Sequence, residues 1–273
     1  MRDPVMTTSR KSNIPVWVAY GMLIMTAVFW SATAVAVRAS AGDIPPHSFT
    51  FWRWTIAFLL FLPFAAKPFW KQRAIYQKHW RMMCGLSFTG ITGFTIFYFL
   101  GLQITTAINA SLINAAQPVM TIIPAWILTR EKITFGQGIG IILGLVGVVI
   151  MVSQGNLDIL KSLEFNGGDI FAIMAVLGWT IYATLIHRVP SELGLTTTLF
   201  LVYLAGTIGL VPFYIVEHTF IRPVPLSWLT VGVVALLGIV VAAIAVSIWT
   251  ASVRSIGPNR AAIFLNVIPV FGV

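Results

Sequence analysis

Asn114, Gln117 and Thr121 stand at i, i+3 and i+7 of a strongly apolar run, so they share one helix face, with Pro118 set among them. Carboxamides and hydroxyls are costly in such a run and turn toward a partner helix or a polar cavity. A proline there frees a backbone carbonyl one turn earlier and kinks the helix. The group reads either as a substrate-facing hinge or as interhelical hydrogen bonds beside an inert kink. A second set is aromatic: Trp30 with Thr26 and Thr33 on one helix face, Trp179 with Tyr182 on another, and Tyr98 toward the end of a third run. Aromatic walls hold planar or cationic groups by stacking and cation–π contacts, and they also serve as plain packing. Arg53 is the one basic residue well inside an apolar run. It meets a substrate carboxylate, or it snorkels to the helix end and binds carbonyls of a neighbour.

Other chemistries lack their residues. The acids Asp3, Asp43, Glu131, Asp158, Glu164, Asp169, Glu192 and Glu217 all fall outside the middle of the apolar runs, which disfavours a buried carboxylate proton relay. A phosphate-cradling Walker loop is missing, so nucleotide-driven pumping is not expected. These absences predict a facilitator or exchanger, or a carrier whose proton coupling uses no buried acid. Glu131 stands between Arg130 and Lys132 and reads as a local ion pair, while Asp169 opens a helix and suits its positive end. Gly85-Leu86-Ser87-Phe88 lacks the second glycine of an intramembrane serine protease motif, and His187 and Asp169 lie at helix ends, so the chain is not expected to be an enzyme. No catalytic residue, cofactor or metal site is predicted.

The elements that must carry these residues follow from composition. Hydrophobic residues make up 58% of the 273 and charged ones 9%, against about 25% charged in soluble domains. A helix needs about 20 apolar residues to cross a bilayer. Spans are predicted from Val16 to Val37, Ser48 to Ala66, Met82 to Leu102, Ala107 to Leu128 and Gly136 to Val152. After a linker over 154–168 they resume from Asp169 to His187, Thr197 to Val216 and Trp228 to Val253, with a ninth beginning near Asn259 or Arg260. The all-α polytopic reading needs every backbone polar group satisfied within helices. Trp17, Trp70, Trp80 and Trp228 lie at span ends and read as interfacial belt residues. Cys84 begins an apolar run and reads as a packing residue. The net charge of +9 is scattered over short loops, which argues for topology and against nucleic acid. Most Lys and Arg fall on one side if the amino terminus, residues 1–15, is cytoplasmic.

Internal repetition sets the organisation. Placing Ala110 on Ala261 places Pro118 on Pro269 without a gap, and Asn266 stands nearby in the second copy. Residues 16–153 then form one five-helix repeat, and 169–273 a second that stops within its fourth helix. An odd number of spans per repeat inverts the second in the membrane. A tenth helix, and a natural product heavier than 30.0 kDa, are therefore expected. Gly136, Gly140 and Gly144, four residues apart, form a small-residue face suited to close helix packing or a homodimer seam.

The motifs Phe29-Trp30-Ser31 with its counterpart Gly178-Trp179-Thr180, Phe51-Trp52-Arg53-Trp54, Gln117-Pro118 and Arg130-Glu131-Lys132 followed by the glycine-spaced run at 136–147 appear in a telling order. In that order the chain resembles the drug/metabolite transporter superfamily, in particular its EamA branch. The resemblance implies a ten-helix fold of two inverted repeats around a central cavity, and small-molecule transport by alternating access. The polar and aromatic groups read above, Trp30, Thr33, Tyr98, Asn114, Gln117, Trp179 and Tyr182, are then expected at the substrate, with Pro118 and Pro269 as hinges. The aromatic content is similar to that of YddG-like exporters of aromatic amino acids in a bacterial inner membrane. Export of quaternary ammonium or aromatic cationic drugs is the alternative substrate class, and a structural membrane scaffold the alternative of another kind.

Overall fold

In a computed structural model, residues 14–39, 44–153, 156, 158, 163–190, 192–225 and 227–271 are described, and of 32–39 only the backbone. The described residues are helical with short connections: α1 Val16–Ala39, α2 Pro46–Lys78, α3 Trp80–Ile104, α4 Ala107–Ala115, α5 Gln117–Thr129 and α6 Phe135–Ser153 in the first half. In the second half come α7 Gly167–His187, α8 Leu195–Ile221, α9 Trp228–Ile256, α10 Pro258–Ile263 and, after a tight turn at Phe264–Val267, α11 Ile268–Phe271. Among the described residues six helices are long and apolar enough to cross a membrane, and α4 with α5, bent by 42°, would form a seventh span.

Helix boundaries correct the sequence reading where packing overrides composition. The second span was expected to stop at Ala66, yet α2 runs on through Lys67, Lys71 and Arg73 to Lys78. Phe69 and buried Tyr76 on this extension pack together, and Phe69 also meets Phe200 of α8, so tertiary contacts hold the extra turns. The α2 start is accounted for group by group. Pro46 has no N–H, the Phe49 N–H begins the ladder on the Pro45 carbonyl at 2.8 Å, and only the N–H groups of His47 and Ser48 need outside partners. In α3 a widened turn spans Phe88–Thr92 where the helix crosses α7 and α8. Gly90 faces the Tyr182 ring there, and a Cβ on it would lie 2.5 Å from a ring carbon.

Pairing between halves is regular. α2 packs on α8. α3 packs on α7 as α9 does on α1, α2 on α9 as α8 does on α3, and α5 on α7 as α11 does on α1. Exchanging α1 with α7, α2 with α8, α3 with α9 and the fourth segments with each other thus preserves this set of contacts. The core lies where the exchanged helices meet, around Tyr182, Tyr203, Leu210 and Trp249, each almost wholly buried.

Candidate functional site

Three indoles from three helices converge near the centre. Trp30 of α1 lies with its ring centroid 5.3 Å from Trp179 of α7, edge to face, and 5.3 Å from Trp249 of α9. Trp179 is 6.1 Å from Trp249 and 5.2 Å from Tyr182. From α3, Phe94 reaches Trp179 at 5.5 Å and stacks on Tyr98 at 5.6 Å. Such spacings are those of attractive aromatic pairs. Polar handles are few: the Tyr182 hydroxyl pairs with Thr250 Oγ1 at 3.1 Å, and the buried Trp249 Nε1 has no hydrogen-bond partner. Leaving such a donor unpaired costs about 1–3 kcal/mol.

Arg53 joins this wall from α2. Its guanidinium lies 5.3 Å from the Trp54 ring and 5.8 Å from the Phe49 ring, and it interacts electrostatically with Tyr98. Phe49 clusters with Val234, Leu237 and Val241 of α9, and Trp30 packs on that same cluster. The buried Nε has no hydrogen-bond partner, and among the described residues no carboxylate pairs with Arg53. A cation held by ring faces alone retains its capacity for an anion.

The other expected site residues are placed differently. Asn114 is exposed and donates back to the Ala110 carbonyl at 2.9 Å, whereas Gln117 and Thr121 are buried and Thr121 bonds the Gln117 carbonyl at 2.8 Å. The break at Ala116 divides the expected face, because Pro118 sits in the first turn of a new helix that sets off at 42°. Pro118 itself is buried, and Pro269 falls in the short α11. The Asn266 carboxamide lies against Gly144 of α6 with both its polar atoms unpartnered. Gly144 therefore meets α6's own-chain neighbour, as Gly140 meets Ile263, while Gly136 faces open space. Thr33 lies in α1, its side chain outside the described residues. Cys84, expected to be packed, is exposed on α3.

The acids differ most from expectation. Glu217 at the end of α8 is 4% exposed and accepts the N–H groups of His47 at 3.1 Å and Ser48 at 2.6 Å, the two that α2 leaves open. Asp169 does cap α7, in a capping box with Asn166, and it also accepts from Asn109 Nδ2 at 2.9 Å and from Thr105 Oγ1 of the first half. Glu131 does not turn to Arg130, whose guanidinium lies over Trp126. It reaches Gly257 at the start of α10, where a Cβ would lie 2.8 Å from its Oε1, with Asn259 and Arg260 beside it. Burial pushes the Glu131 carboxyl up from the ordinary range, opposed by Arg260. Among the described residues no group of His, Cys, Asp and Glu is placed to hold a metal ion.

A family model described as "EamA-like transporter family" matches residues 17–153 and 166–273. The chain belongs to the EamA-like transporter family. It is similar to "uncharacterized transporter YyaM" of Bacillus subtilis, with 28% identity over 92% of this chain and 82% of that protein. An "uncharacterized transporter" of Archaeoglobus fulgidus is 25% identical over 92% of this chain and 85% of its own. A chain of known crystal structure shares the fold with a TM-score of 0.72 at 18% identity, covering 93% of this chain and 85% of that one. This EamA-like transporter is thus a multi-pass membrane protein whose relatives are named as transporters. Its aromatic site includes Trp249, Thr250 and Phe94, which sequence reasoning passed over. One signal was available for Trp249: the gapless register that sets Ala110 on Ala261 also sets Tyr98 on Trp249.

Proposed function

We propose that this EamA-like transporter is a secondary carrier that exports amino acids, aromatic ones first, across a bacterial inner membrane. The observation that carries this reading is the unpaired Arg53 beside an aromatic wall drawn from both halves. Arg53 takes the substrate carboxylate, and Trp30, Trp179 and Tyr98 take the ring. Two repeats, inverted in the membrane with a cytoplasmic amino terminus, rock about the site to give alternating access. The preserved set of helix pairs under exchange and the Lys/Arg asymmetry support that arrangement. Cationic aromatic drugs are the second reading, favoured by the indole faces and opposed by the charge on Arg53.

The test is counterflow of labelled tryptophan, phenylalanine and threonine in proteoliposomes. Tryptophan or phenylalanine should exchange saturably. Arg53→Gln should raise KM about tenfold or more, the loss of one charge-assisted contact. Trp30→Ala and Trp179→Ala should lower flux further. Threonine exchange alone would overturn the aromatic assignment, and absence of exchange with every substrate offered would overturn the carrier.

A further inference from the structure

Alternating access requires each face of the molecule to be held shut in turn, and contacts that cross between the halves at a face are where to look for the hold. The halves are α1 to α6 and α7 to α11. Helix alternation puts the starts of α2, α4, α7 and α9 and the ends of α1, α3 and α8 on one face. Two buried carboxylates cross between halves there, and both come from the second half. Glu217 takes the His47 and Ser48 N–H groups of α2, and Asp169 takes Thr105 and Asn109 at the start of α4. Glu217 has no local helix to cap with these bonds: both partners lie about 170 positions away, at separations of 170 and 169. A cavity of about 260 Å³ lined by His47, Phe213, Val216 and Glu217 lies directly beside this contact. On the opposite face the counterpart is incomplete. Half-buried Glu131 lies against Gly257 with Asn259 and Arg260 beside it, and it does not take a pair of helix-start N–H groups as Glu217 does.

We propose that Glu217, assisted by Asp169, is the latch of the face where α2 begins, and that the carrier opens that face by releasing the α2 start. The inference rests on the carrier reading given above. A carboxylate suits the role because its two oxygens accept two N–H groups at once. A carboxamide accepts on one side only and leaves a helix-start donor unpaired. The latch also explains why an acid is buried at a span end with no cationic partner among the described residues: the helix start itself supplies positive charge.

Thiol labelling tests this without any substrate. In a Cys84→Ser background of the full chain reconstituted in liposomes, Ser48→Cys reports on the latched face and Ala261→Cys on the opposite one. Both positions are 0% exposed, and the Ser48 hydroxyl has no partner to lose. Glu217→Gln should speed maleimide labelling at Ser48→Cys about tenfold, the loss of one charge-assisted hydrogen bond, and leave Ala261→Cys unchanged. Glu217→Asp, shorter by one methylene, should fall between and serves if the Gln variant does not fold. Unchanged labelling at Ser48→Cys overturns the latch, and so does a parallel rise at both reporters, which is the mark of loosened structure. Counterflow on the same liposomes separates the two readings, since flat labelling with intact exchange removes the latch and keeps the carrier.

Discussion

Single residues decide how closely the halves meet. Gly206 of α8 faces Ile91 in the widened turn of α3, and a Cβ there would lie 2.7 Å from Ile91 Cβ. Its carbonyl also accepts the Thr92 hydroxyl at 3.0 Å, so backbone and side chain are locked together across the interface. Gly206→Ala should therefore lower the melting temperature in detergent, with a cost of about 1–3 kcal/mol for overpacking. Thr92→Val should cost less, because it removes one hydrogen bond and keeps the shape. A Gly206→Ala protein as stable as the parent would show that α3 and α8 can slide apart freely. Glycine was visible in the sequence at 206, but nothing near it in the chain names Ile91 as its neighbour, which lies more than a hundred positions away.

At the scale of elements, the bend between α4 and α5 is the feature most nearly legible in advance. Pro118 announces a kink, yet the break falls at Ala116 and changes which polar groups are buried. Proline at the second position of a new helix costs little, whereas in mid-helix it would cost about 3 kcal/mol, so the chain restarts rather than strains. Pro118→Ala permits one continuous helix over 107–129 and should return Gln117 to the face of Asn114. We expect normal expression and a severalfold slower counterflow; an unchanged rate would make the bend a packing feature. The length of α2 was illegible for the opposite reason. Its last turns are rich in Lys and Arg, and Phe69, Ile75 and Tyr76 dock them on the core, with Phe69 meeting Phe200 of α8.

For the whole molecule, the two faces differ in how their acids are satisfied. Buried Glu217 and Asp169 are fully hydrogen-bonded, while Glu131 is half-buried with Arg260 as its main electrostatic partner and Lys132 exposed nearby. Burial raises the Glu131 pKa, so the arrangement seen here binds its proton more tightly than an opened, hydrated one. This arrangement is then favoured at acid pH and loses stability as pH rises from the ordinary carboxylate range through the raised pKa. Labelling of Ala261→Cys, corrected for thiol ionisation, should rise across that window and stay low at every pH in Glu131→Gln. A pH response that survives in Glu131→Gln would assign the titration to another group.

Composition and hydrophobic run length determined by themselves that this protein is an all-helical, multi-pass membrane protein, because the bilayer admits few other ways to satisfy a backbone. Motif order and the recurring proline pointed to the EamA family, and the central positions of Trp30 and Trp179 in their runs already separated them from the interfacial tryptophans. Tertiary structure alone decided which rings Trp249 meets, that Arg53 has ring faces for company, and that Glu217 crosses to the start of α2. The physical reason is common to all three. Local sequence sets which helix forms and which groups it carries, whereas the partner of a buried charge or ring comes from a segment brought near only by packing, and the chain holds no local trace of that distance.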